Sequence, residues 1–315
     1  AIEKKINLVV AHHPIIFSGL KKINGKNYVE RTVIKAIKHD IAIYAIHTNL
    51  DNVIGGVNGK VADLLGLQQR AILYPKAGTL RKLICFVPAD HLHTVRGHLF
   101  EAGAGVISLY SDCSFSSAGT GTFRAGPGTD PFVGEQGEFH AEKEERLELI
   151  YPVHLERAVL AAMRKGHPYE EIAYDILPLS NTHPGIGSGI TGELPEALDE
   201  LEALDLFRKL FGLSLIRHTP LTGRKVKKLA FCGGAGSFLI SSALSAGVDL
   251  FVTADLKYHE FFDADGRLLL ADIGHFESEQ FTINLLQEVL AQKFPTFAVL
   301  KTAIKTNPVQ YFTGL

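Results

Sequence analysis

Four short apolar runs, each ending in a polar motif rich in His, Asp and Glu, constrain this chain more than any other feature. Ile6 to Ala11 (INLVVA) runs into His12-His13-Pro14, and Ile41 to Ile46 (IAIYAI) into His47-Thr48-Asn49-Leu50-Asp51. Val248 to Val252 precedes Thr253 to His259, and Leu268 to Ala271 precedes Asp272-Ile273-Gly274-His275-Phe276-Glu277-Ser278-Glu279. Continuous apolar runs of this length read as buried strands. Tyr28 to Asp40 carries Val29, Val33, Ile34 and Ile37 at helical spacing, and Asn58 to Leu65 reads as a helix stopped by Gly66. Strands alternating with helices predict a parallel sheet covered on both faces. In such sheets ligands bind beyond the carboxyl ends of the strands, so all four motifs are expected on one rim.

The middle of the chain has another rhythm. Strands are expected at Leu83 to Val87, Val106 to Tyr110, Arg146 to Ile150 and Ala173 to Leu177, with helices at Ala89 to Ala102 and His154 to Arg164. That order, β-α-β-β-α-β, is ferredoxin-like. Cys113 to Gly137, dense in Gly, Ser, Thr and Pro, reads as a long loop. Beyond Asn181 the first rhythm resumes, with helices at Glu196 to Phe211, Phe238 to Ala246 and Phe281 to Lys293 and strands at Val226 to Cys232 and Thr296 to Leu300. The expected architecture is a layered α/β core with largely parallel strands, built from residues 1–81 and 180–315. A ferredoxin-like domain at 82–179 interrupts it.

Composition excludes several classes. A formal net charge of −2 gives no electrostatic reason to expect nucleic acid. No apolar run reaches the roughly 18 residues that span a bilayer. The three cysteines, Cys85, Cys113 and Cys232, are odd in number and far apart, which fits no disulfide framework and points to the cytoplasm. Nor do they make a zinc-thiolate pattern. The start, Ala1-Ile2-Glu3-Lys4-Lys5, reads like the end of a helix, and residues are expected before it.

Any metal here is therefore held by imidazole and carboxylate, a donor set that suits Zn, Mn, Fe, Co and Ni. The rim argument selects His12, His13, Asp51, His275 and Glu279. Adjacent histidines point different ways and can serve different ions, while a carboxylate has two oxygens and can bridge. His275 and Glu279 share a face if a helix begins after Gly274. Two ions so held would share and activate a water, as in metal-assisted hydrolysis. Taken singly, each motif has a simpler reading: a proline turn for His12-His13-Pro14, a helix cap for His47 to Asp51, a satisfied buried imidazole for His275. His47 and His259 are candidates for proton transfer beside the ligands, and Asp255 with Lys257 for a rim ion pair. Gly187 to Gly192 matches G-x-G-x-x-G but follows no apolar strand, so the dinucleotide context is missing. Cys232-Gly233-Gly234-Ala235-Gly236-Ser237 is either a tight strand-to-helix turn, the favoured reading, or a phosphate loop.

The motifs AHHPIIF, HTNLDNV, CGGAGSFL, TADLKYHE and DIGHFESE resemble, in order, the NGG-interacting-factor-like dinuclear metal-centre family, the GTP cyclohydrolase I type 2 homologues. The resemblance implies two divalent ions on the same five residues, His12, His13, Asp51, His275 and Glu279. It also implies hydrolysis of a non-peptide C–N bond in a nucleotide such as GTP, and a toroidal homo-hexamer. Segments HPYEE (His167 to Glu171) and CSFSSAGTGTF are similar to the version of the family carrying a CutA- or PII-like insert. Members usually carry an N-terminal Trp-Asp-Asn stretch, whereas this chain has no Trp. The competing reading is a metal-binding regulatory or sensor oligomer without turnover. A structural oligomer with incidental metal ranks last.

Overall fold

Leu8–Ala11 (β1) and Ala42–Ala45 (β2) pair in parallel, Leu8 opposite Ala42 and Ala11 opposite Ala45. Parallel neighbours need a crossover, here Tyr28–Lys38 (α1), whose first turn is capped by the Asn27 side chain accepting from the Glu30 N–H. This computed structural model describes residues 1–312. After β2 come Thr48–Asp51 (α2), Val57–Leu64 (α3) and Gln68–Pro75 (β3). Helix α3 buries Val57, Val61 and Ala62 and stops where Gly66 turns left-handed at φ 64°.

The chain divides into two compact units, one made of Ala1–Tyr74 with the chain from Gly187 onward, the other of Pro75–Ile186. The second unit is wider than the 82–179 span expected from sequence. Its ends are tied together by Lys76 N–H donating to Ile186 O (3.0 Å) and His183 N–H donating to Thr79 Oγ1 (3.2 Å). It contains Leu80–Pro88 (β4), Leu92–Glu101 (α4), Phe115–Arg124 (β5), Phe139–Pro152 (β6), Glu156–Gly166 (α5) and Tyr174–Pro178 (β7). The sheet order is β5-β6-β4-β7 with every neighbour antiparallel, the ferredoxin-like arrangement. One strand lies elsewhere than expected. Val106 to Tyr110 is a tight turn closed by Ile107 and Tyr110, and the strand is β5, inside the stretch read as a loop. Its Ser, Gly and Thr residues carry no apolar signal because β5 is an edge strand, held through backbone pairing with β6.

The first unit resumes with Gly187–Asp199 (β8), Glu200–Phe211 (α6), Arg217–His218 (β9), Lys225–Ala235 (β10), Ile240–Ser245 (α7), Leu250–Ala254 (β11), Leu269–Asp272 (β12), His275–Glu279 (α8) and Thr282–Lys293 (α9). Six strands form one sheet in the order β3-β8-β10-β11-β12-β9. Strands β10, β11 and β12 run parallel, whereas β8 on β10 and β9 on β12 are antiparallel. The core is therefore mixed rather than largely parallel, and β1 with β2 forms a sheet of its own. Apolar runs announce strands but not their direction, and β8 hides its length behind glycines. Alternate residues of the central strands feed two cores. Leu229, Phe231, Leu250 and Val252 pack with Phe207 and Phe211 of α6, while Ala230, Phe251 and Leu270 pack with Ile240 and Ala243 of α7. The expected strand at Thr296 to Leu300 is irregular, and Phe297 and Leu300 are exposed. No helix among the described residues is long and apolar enough to cross a membrane.

Candidate metal centre

Strand β1 ends at Ala11 and delivers His12 and His13 side by side. Strand β2 ends at Ala45, after which His47 takes φ 38°, ψ −131°, and helix α2 presents Asp51. A non-glycine residue in that conformation is strained, and such strain concentrates at functional sites. Strand β12 ends at Asp272, Gly274 turns at φ 89°, and α8 begins with His275, so that His275 and Glu279 stand one turn apart. The motifs thus converge from two sheets rather than from the rim of one.

Three imidazoles surround one carboxylate oxygen. Glu279 Oε2 lies 3.5 Å from His12 Nε2, 3.2 Å from His13 Nε2 and 3.4 Å from His275 Nε2. Asp51 Oδ1 is 3.4 Å from His12 Nε2, and His13 Nε2 is 3.3 Å from His275 Nε2. The buried atoms His12 Nδ1, His12 Nε2 and Glu279 Oε2 have no aligned hydrogen-bond partner. Leaving such groups unpaired costs about 1–3 kcal/mol each. His12, His13 and Glu279 offer ligand atoms all within 4.8 Å of one another, a possible metal-binding group. An imidazole–imidazole–carboxylate set with orphaned, buried donor atoms fits a divalent cation.

The electrostatics point the same way. Burial pushes the Glu279 carboxyl up, but His12 and His275 outweigh it and bring it down to about 2. The nearby Glu279 carboxylate raises His275 to about 9 against its burial, with Asp255 assisting. Burial lowers His12, yet Glu279 and then Asp51 leave it raised overall. Burial keeps His13 low and raises Asp51. The cluster thus draws in positive charge.

Several residues hold the cluster in place. Asp255, a rim ion-pair candidate in the sequence, instead meets His275 Nδ1 at 2.6 Å and turns Nε2 toward Glu279. No ion pair joins it to Lys257 among the described residues. Asp272, 5% exposed, accepts from Gly274 N–H and Leu256 N–H (both 3.0 Å) and from Arg217 (3.1 Å), fixing both the His275 turn and the Asp255 loop. Buried Asn58 donates to Asp51 O and accepts from Gly233 N–H. Buried Ser278 donates to His275 O and accepts from Gly234 N–H. The bonds from Gly233 and Gly234 take up the N–H groups of the two central glycines, and Cys232 to Ala235 continue β10 with an irregular register against β11, so the turn expected over Cys232 to Ser237 is confined to Gly236 and Ser237. Gly234 is required at its position: at φ 66°, a Cβ would fall 2.5 Å from Glu279 Oε1. Asn58, Ser278 and Asp272 carry no sequence signal of this role beyond sitting in or beside the motifs.

His47 stands beside the cluster, its ring 5.4 Å from that of His13 and 5.8 Å from that of His12. His259 does not join it. It is exposed, rests against Tyr258 at 5.2 Å, and has no ring contact or hydrogen bond to the cluster among the described residues.

The family profile Duf34/NIF3 (NGG1p interacting factor 3) matches residues 1–308. The chain belongs to this family. Two bacterial relatives, both called GTP cyclohydrolase 1 type 2 homolog, support the assignment of this NIF3-family chain. That of Halalkalibacterium halodurans is 40% identical over 317 residues, covering 99% of this chain and 85% of the relative. That of Bacillus subtilis is 42% identical over 278 residues, covering 88% and 74%. The crystal structure of a Bacillus cereus protein related to NIF3 matches the NIF3-family chain with a TM-score of 0.82 at 37% identity, covering 99% of this chain and 85% of that one.

Proposed function

We propose that this chain is a metal-dependent hydrolase whose centre takes two divalent cations on His12, His13, Asp51, His275 and Glu279. The observation that carries this reading is the convergence of three imidazole nitrogens on one buried, unpartnered carboxylate oxygen. Zn, Mn, Fe, Co and Ni all suit these donors. Bound there, the cations supply Lewis acidity. The chain does the rest. Asp255 holds His275 in one tautomer, as carboxylates behind ligating histidines do. Glu279 and Asp51 provide the negative charge that a cation pair neutralises. His47, on its strained turn within reach of the cluster, takes up or delivers a proton at its imidazole nitrogen. The relatives' name, GTP cyclohydrolase 1 type 2 homolog, suggests a nucleotide substrate and cleavage of a non-peptide C–N bond.

Elemental analysis of chain purified without chelator tests the centre. About two ions per chain are expected, lost in both Asp51→Ala and Glu279→Ala. No ion in the wild type, and none after soaking with Zn or Mn, would overturn it. Hydrolysis of GTP and related nucleotides by the loaded protein, abolished in His47→Ala with metal retained, separates the enzyme from a regulatory metal protein. A homo-hexamer belongs to the same proposal. The exposed apolar residues Phe17 (84%) and Leu109 (98%), one in each unit, support contacts between copies, and light scattering reads the mass.

A further inference from the structure

The unit Pro75–Ile186 carries a half-open cavity of about 640 Å³ lined by its own residues alone. That volume suits a small molecule. The segment His167 to Glu171 builds one wall. His167 Nε2 donates to Phe86 O (2.9 Å), and its Nδ1 accepts from Tyr169 N–H (3.1 Å), which pins the segment to β4. Tyr169 O–H donates to Glu144 Oε1 (3.0 Å), and Glu170 accepts from Asp130 N–H (2.9 Å), anchoring the loop that carries Phe132. Gly121 leaves the floor open for the Glu144 carboxylate, whose Oε2 lies 2.0 Å from where a Cβ would stand. The Phe132 ring stands 6.1 Å from that of Tyr169, and Phe86 and Phe123 complete an aromatic lining.

The charges in this lining are unequal in what they leave free. Arg146 is bound to Glu148 at 2.9 Å, and Arg124 donates to Gly137 O. Glu144 Oε2 and the Glu171 carboxylate have no hydrogen-bond or ion partner among the described residues. The apolar core of the unit is built from other residues, such as Leu83, Cys85, Leu147 and Met163, so the cavity's rings are not needed to fill it. We propose that this cavity binds an organic cation: an ammonium group on an aromatic or apolar body, its charge against Glu144 and Glu171 and its body between Phe132 and Tyr169. Aromatic faces attract such cations, and a carboxylate adds a charge-assisted hydrogen bond.

Calorimetric titration of the full chain with 2-phenylethylammonium, 2-phenylethanol and phenylacetate tests this, because the three share a ring and differ in charge. The ammonium is expected to bind about tenfold tighter than the alcohol, with phenylacetate weakest. Glu144→Gln removes that preference, and Phe132→Ala weakens the ammonium and the alcohol together. Glu171→Gln, at an exposed residue, reduces the preference even if Glu144→Gln loosens the Tyr169 wall. Equal binding of the three probes, no binding of the ammonium, or unchanged selectivity in both Glu variants overturns the proposal. So does a Phe132→Ala protein whose mass by light scattering changes while its ligand binding does not, since the cavity would then be a contact between copies.

Discussion

Gly234 and Gly247 share a backbone conformation, at φ 66° and 64°, but not an environment. A Cβ on Gly247 meets nothing within 4 Å, whereas one on Gly234 meets Glu279 Oε1 at 2.5 Å and the His275 ring at 3.3 Å. Either Gly→Ala substitution carries the left-handed penalty of about 1–2 kcal/mol. At roughly 2–4 °C per kcal/mol for a unit of this size, each lowers Tm by about 2–8 °C in chelator. Only Gly234→Ala displaces Glu279 from the histidines, and its affinity for Zn or Mn falls about 10–100-fold, the usual consequence of moving a ligand's support. Scanning calorimetry reads the first effect and titration calorimetry the second. Wild-type metal affinity in Gly234→Ala, or an equal loss in Gly247→Ala, would refute the claim that Glu279 is positioned by close approach to this glycine.

Asp255→Asn keeps the shape but loses the charge that orients His275. Metal affinity should drop about 10–100-fold while the metal-free melting temperature stays within error, and an unchanged affinity counts against the orienting role. Glu200, 6% exposed, accepts from Thr222 N–H, Thr222 Oγ1 and Gly223 N–H at 2.9 Å each. Burial opposes its ionisation, but these bonds win and hold its pKa below the ordinary value. A depressed carboxyl stabilises the fold above its unfolded pKa and loses that contribution as pH falls through the folded one. Glu200→Gln should therefore cost about 1–3 kcal/mol at neutral pH in urea melts, with the gap to wild type closing below about pH 4. A gap independent of pH sinks this account.

The strands carrying the centre were legible because each is an apolar run, buried throughout in β12 but not in β1 and β2, where Leu8 and Tyr44 are exposed, and the histidines and carboxylates stand where those runs stop. The ferredoxin-like order was legible too, but not the position of β5, since an edge strand of Ser, Gly and Thr looks like a loop until its partner is known. Strand direction and the separate β1–β2 sheet are pairing facts with no local trace. The sequence singled out five ligand candidates, of which His12, His13 and Glu279 offer ligand atoms within 4.8 Å of one another. Asp255 was underrated, because its partner His275 is 20 residues away and only folding joins them. His259 was overrated, because proximity to a motif does not settle which way a 3-10 turn faces.

The bond from Lys76 to Ile186 has a consequence for how the protein is made. His13 and His275 are 262 residues apart, and the unit Pro75–Ile186 supplies 112 of them (186 − 75 + 1), leaving 150. Loop-closure entropy grows only logarithmically, so even a slack insertion adds roughly 0.5 kcal/mol to bringing the two halves of the centre together. With its ends tied, the insertion adds less, and the host fold carries a whole second unit at almost no thermodynamic burden. Time is the larger cost. Asp51 leaves the ribosome 228 residues ahead of Glu279 (279 − 51), which at 5–20 residues per second is roughly 11–46 s. During that interval the inserted unit can complete its fold, while His12, His13 and Asp51 wait for the half of the centre that has not yet been synthesised.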